Sequence, residues 1–89
     1  MADELHIASV VVQCAPQKLA ALIRELALLP GAVVHATSTE GKAVITLEAA
    51  SGDAITATVA QVQQFDGVLS AALVYQCVDT LEAMNQEMP

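Results

Sequence analysis

Aromatic side chains are nearly missing from this 89-residue chain, which has one Phe, one Tyr and no Trp. It therefore offers no platform on which the bases of a single strand stack. Basic residues are scarce too. Lys18, Arg24 and Lys42 face ten acids, and the net charge of −7 repels nucleic acid and anionic membranes alike. The two cysteines, Cys14 and Cys77, form no CxxC pair and no cluster with His or carboxylates, so a four-ligand structural zinc site is excluded. No apolar run approaches the roughly 18 residues of a membrane span. Pro30 and Gly31 break the longest, Leu26 to Val34. The start, Met1-Ala2-Asp3-Glu4, is acidic and lacks the basic, then apolar, pattern of a secretory signal. A cytoplasmic protein with reduced thiols is the expectation.

Apolar residues, by contrast, make up 55% of the chain, and the mean hydropathy is +0.56. A chain of this length forms one small domain. Its apolar surface is ample to offset the entropy of ordering. The acidity by itself says no more than that the chain stays in solution.

Leu5 to Cys14 reads as a strand centred on Val10-Val11-Val12. Pro16 suits the start of a helix, and Leu19, Leu22, Ile23 and Leu26 give it one apolar stripe. Leu29-Pro30-Gly31 ends that helix. Ala32 to Thr37 and Lys42 to Ala49 form a hairpin about Ser38-Thr39-Glu40-Gly41. Ser51-Gly52-Asp53 caps a second helix with the stripe Ile55, Val59, Val62, closed by Phe65. Asp66-Gly67 turns the chain into a last strand, Val68 to Cys77. The domain is expected to span residues 1–78, with an acidic tail at 79–89.

The order βαββαβ repeats internally. A 36-residue shift carries Leu19 onto Ile55, Ile23 onto Val59, Leu26 onto Val62 and Gly31 onto Gly67. Two such halves interleave into an α+β, ferredoxin-like domain with a four-stranded antiparallel sheet in the order 4-1-3-2 and both helices on one face. The other face should then turn polar. It largely does not. In the third strand Lys42, Val44, Thr46 and Glu48 point away from the helices. Carrying that parity through the repeat assigns His6, Ala8, Val10 and Val12 to the open face, with Val33 and His35 and with Leu69, Ala71, Leu73 and Tyr75. An apolar face of this extent marks an interaction surface or a homodimer interface, and the residues leave both open.

Chemistry has little foothold. His6 and His35 stand without a nucleophile beside them, Ser9 has no flanking glycines, and no glycine loop or carboxylate pair stands out. No catalytic residue, cofactor or metal ligand is expected. The two cysteines fall at opposite ends of neighbouring strands, out of disulfide reach, and read as small buried hydrophobes.

Ser9-Val10-Val11-Val12-Gln13, Leu29-Pro30-Gly31, Gly67-Val68-Leu69 and Leu73-Val74-Tyr75 resemble, in order and spacing, the NapD family over about His6 to Cys77. That family comprises small cytoplasmic chaperones for assembly of the periplasmic nitrate reductase. The resemblance implies a ferredoxin-like domain that binds the twin-arginine signal peptide of the catalytic subunit NapA as a helix on the open sheet. It further implies that binding holds the precursor from the Tat translocon while its cofactors are inserted. On that reading the peptide's apolar stretch covers Val10, Val12, Val44, Leu69, Leu73 and Tyr75. Its paired arginines meet Glu48 through charge-assisted hydrogen bonds. Lys42 on the same face departs from a wholly acidic rim. The alternative is a dimeric regulatory domain of the ACT or Lrp type binding a small molecule, which would need a glycine-rich ligand loop after the first strand.

Overall fold

The computed structural model describes residues 4–80. Its elements are β1 (Glu4–Cys14), a 3-10 turn at Pro16–Lys18, α1 (Leu19–Ala27), β2 (Ala32–Thr37), β3 (Lys42–Ala49), α2 (Gly52–Gln63) and β4 (Val68–Thr80). All neighbouring strands are antiparallel, in the order β2-β3-β1-β4, which is the expected 4-1-3-2 read from the other edge. The last strand runs to Thr80, past the expected boundary after Val78. Residues 81–89 of the expected tail lie outside the described residues.

Each helix is set by local chemistry. Pro16 opens the 3-10 turn that leads into α1, and the Ser51 hydroxyl caps α2 by accepting the Ala54 N–H at 3.1 Å. Past the two helices, Gly31 and Gly67 take φ of 80° and 86°, the left-handed region open to glycine. A Cβ on Gly31 would collide with the Glu48 carbonyl oxygen, so β2 lies against β3 only because that position is bare.

Leu22 and Leu26 of α1 and Ile55 and Val62 of α2 pack with Ala8, Val10, Val12 and Cys14 of β1 and with Ala43, Ile45 and Leu47 of β3 in one core. Burying each Leu or Ile side chain contributes about 1.5–3 kcal/mol. The core therefore uses one face of the sheet, and the helices lie on that face. The parity assigned to β3 agrees with this arrangement. The parity assigned to β1 does not.

Val10 lies opposite Ile45, and Val12 opposite Ala43, so both valines share the helix-covered face. With Ala8, they are fully buried there. His6 continues the same alternation. The reason for the inversion is one residue of length. The helices obey the 36-residue shift, but the chain has one more residue between Ala49 and Ile55 than between Cys14 and Leu19. Equivalent strand positions are thus displaced by one from the helical repeat, and a one-residue slip exchanges the faces of a strand.

A second device acts on β4. Leu73 pairs with Val10, but Tyr75 pairs with Ser9, leaving Val74 without a partner at a bulge. Before the bulge Ala71 and Leu73 fall on the helix side. After it Tyr75 and Cys77 fall on the open side. A second shift separates the pairs Gln13–Ser70 and Cys14–Val68, and a third sits at His35 in β2.

Candidate functional site

The open face is read directly from the pairing of side chains that stand opposite one another. One row crosses the whole sheet as Val33, Thr46, Ser9 and Tyr75. The next is Ala36, Val44, Val11 and Ala72. Glu48, Ile7 and Cys77 form a row at one end, and Lys42, Gln13 and Ser70 a row at the other. Among the described residues no helix covers this surface, since the buried residues of α1 and α2 belong to the core on the opposite face.

Its relief follows from residue size. At their middle the central strands β3 and β1 carry short side chains, Val44, Thr46, Ser9 and Val11. The outer strands carry the two rings, His35 and Tyr75, beside the smaller Val33, Ala36 and Ala72. Tyr75 stands 60% exposed on β4, while the His35 imidazole on β2 shares a 2.8 Å hydrogen bond with the Thr46 hydroxyl. The face is thus low along its middle, bounded by Tyr75 on β4 and by the His35–Thr46 pair on the other side, and this shallow trough runs along the central strands. Val33 and Val44 are also substantially exposed, at 46% and 39%. The charges stand at the two ends of the trough, the exposed Glu48 at one and the exposed Lys42 at the other.

Of the seven residues expected to line the site, Val44, Glu48 and Tyr75 share this face. Val10 and Val12 are core residues and are removed from it. Leu73 is opposite Val10 on the helix side, 40% exposed on the edge strand, and Leu69 is the unpaired, 74% exposed residue at the second register shift. His6 and Ala71, also expected on the open face, lie on the helix side. Val33 and His35 are where the sequence put them. Ile7, Ser9 and Val11 were missed. Their signal is the alternation Ser9, Val11, Gln13, whose polar members mark the outward face of β1.

Cys14 is buried, and burial pushes its thiol above the usual thiol value. Cys77 corrects the expectation of a buried hydrophobe. It is only half-buried, on the open face opposite Ile7. Both thiols are free, and Cys77 pairs seven positions along β1 from Cys14. Among the described residues no three His, Cys, Asp or Glu side chains converge on a metal position, and no helix is long and apolar enough to cross a membrane. A cleft of about 540 Å³ does exist, but in the helix layer, lined by Leu28, Leu29, Pro30 and Phe65 with Glu25 and Asp66. Lys18 holds Asp66 there at 3.0 Å.

Known proteins are similar to this chain in sequence and in fold. The family model described as NapD protein matches residues 5–80. The protein named Chaperone NapD from Paracoccus pantotrophus is 38% identical over 84 residues, spanning 91% of this chain and 74% of that protein. The solution structure of the E. coli Tat proofreading chaperone protein NapD matches with a TM-score of 0.78 and 26% identity, covering 100% of this chain and 92% of that one.

Proposed function

The chain belongs to the NapD family, and on that premise we propose that it is a cytoplasmic chaperone, not an enzyme, whose open sheet face binds the twin-arginine signal peptide of the nitrate reductase catalytic subunit NapA. The observation that carries this reading is the uncovered face itself. A solvated antiparallel sheet turns polar outward. Here Val33, Val44 and Tyr75 remain exposed beside the half-buried Ile7 and Val11, interspersed with the polar Ser9, Thr46 and Gln13. Exposed apolar side chains grouped on an uncovered face mark a docking surface.

A leader peptide matches both properties of the face. Laid as a helix in the trough, its apolar side removes Val44, Val11 and Tyr75 from water, and its arginines meet the carboxylate of Glu48. An apolar helix alone would not distinguish this leader from others. The arginine–carboxylate pairing adds that discrimination, because an arginine left beside Lys42 is repelled. Occupying the leader withholds it from the Tat translocon until the cofactors of NapA have been inserted. The protein needs no cofactor of its own for this role.

The test is a calorimetric titration of a synthetic NapA leader into the full chain at low and high salt. Saturable binding is expected, weakened by salt and by replacing both arginines with glutamine. Absence of binding at millimolar peptide contradicts the proposal.

A further inference from the structure

The trough has two unlike ends, and we infer from them that it accepts its helix in one direction only, N-terminus at Glu48 and C-terminus at Lys42, parallel to β1 and antiparallel to β3. This inference rests on the proposed binding of a leader helix to the open face and adds its polarity.

The length of the face matches one helical segment. The His35 ring leans onto Thr46 of β3 and the Tyr75 ring stands on β4, so a helix laid between the two rings runs along the central strands over Ser9, Val11 and Val44. From Lys42 to Glu48 the strand rises roughly 20 Å at about 3.4 Å per residue. A helix covers that length in about 13 residues. The trough thus holds one helical segment with one charged residue at each end.

Charge then selects the direction. Unpaired N–H groups make a helix N-terminus positive and unpaired carbonyls make its C-terminus negative. Glu48 at one end and Lys42 at the other complement that dipole in one orientation and oppose it in the other. The leader's arginines precede its apolar segment, so the same orientation brings them to Glu48. Glu4 shares the alternation of His6 and Ala8, and its carboxylate lies 3.6 Å from the His6 ring, so it adds no charge to this face. At the opposite end Glu40 lies in the turn before Lys42, beyond the strand, and so leaves Lys42 as the charge on the face itself. Turning the helix round places two arginines against Lys42 and loses both pairings.

The experiment uses the isotope-labelled full chain saturated with a synthetic leader carrying a nitroxide at its N-terminus or, in a second sample, at the end of its apolar segment. The N-terminal label is expected to cause several-fold loss of amide signal at Ile7 and Glu48, and the second label at Gln13, Lys42 and Ser70. The charge-swapped variant Glu48→Lys with Lys42→Glu should exchange the two patterns, while Glu48→Lys alone weakens binding about tenfold. The opposite pattern in the unmodified chain, or equal broadening at both ends from each label, overturns the assigned direction and leaves the binding face standing. Broadening confined to helix-layer amides such as Leu26 and Ile55 overturns the binding face itself, and with it the direction.

Discussion

Ser9 of β1 lies directly opposite Tyr75 of β4, although the next residue along β1 pairs two positions back on β4. This register step is what turns Tyr75, the chain's single tyrosine, outward onto the open sheet. Without it the ring would continue the alternation of Ala71 and Leu73 toward the helices. The unpaired Val74 therefore has a functional consequence. Deleting Val74 is expected to leave Leu73 opposite Val10 and Tyr75 opposite Ser9, because regular alternation then places the two adjacent side chains on opposite faces. The predicted result is a folded chain whose stability in urea unfolding changes by about 1 kcal/mol or less.

Val10 and Val44, one on each central strand, separate core from surface. Val10→Asp puts a charge into a fully buried site and is expected to cost more than ~4 kcal/mol, leaving the chain unfolded by circular dichroism. Val44→Asp, on the open face, should change stability by less than about 1 kcal/mol. Its effect is instead on leader binding, with affinity falling at least about tenfold by titration. Unfolding of the Val44 variant, or a folded Val10 variant, would contradict the face assignment.

Gly31 and Gly67 hold equivalent places after the two helices. Gly31→Ala meets a left-handed φ and the backbone carbonyl of Glu48, which cannot move without disturbing the β2–β3 pairing. A loss of roughly 2–3 kcal/mol is expected by denaturant unfolding. At Gly67 the added Cβ meets the Lys18 side chain. Part of that strain can be relieved by moving Lys18, at the expense of its exposed ion pair with Asp66.

The thiols should differ in reactivity. With a disulfide reagent at about pH 8, one equivalent is expected to react quickly at Cys77 and the second, Cys14, only as the protein opens. A Cys77→Ser variant should lose the fast phase. Burial raises the Cys14 thiol above its free value of 9.0. As pH rises past that value the unfolded chain loses this proton while the folded chain keeps it. Stability from this group is therefore complete below pH 9.0 and declines above it. Cys14→Ala should remove that part of the alkaline decline.

Topology was legible in the sequence because helices and turns carry strong marks. The stripes Leu19–Leu26 and Ile55–Val62, the Ser51 cap and the glycines at 31 and 67 all stand where their chemistry placed them. The face of β3 was legible as well, since Lys42 and Glu48 cannot point into the core. β1 gave no such mark at its centre. Val10, Val11 and Val12 are equally apolar, and only Ser9 and Gln13 on either side reveal which valine faces out. β4 was less legible still. A bulge leaves no compositional trace in Leu73-Val74-Tyr75, so simple alternation placed Leu73 and Tyr75 together. Val10, Val12 and Leu73 were accordingly placed on the wrong face while the fold was right.

The most direct test of the account follows the backbone amides of the isotope-labelled chain as unlabelled twin-arginine leader is added. Shifts are expected to concentrate on Ile7, Ser9, Val11, Val44, Thr46, Glu48 and Tyr75, with Leu22, Leu26, Ile55 and Val62 nearly unmoved. Saturable shifts concentrated instead on the helix layer, around Leu28 and Phe65, would contradict binding at the open face.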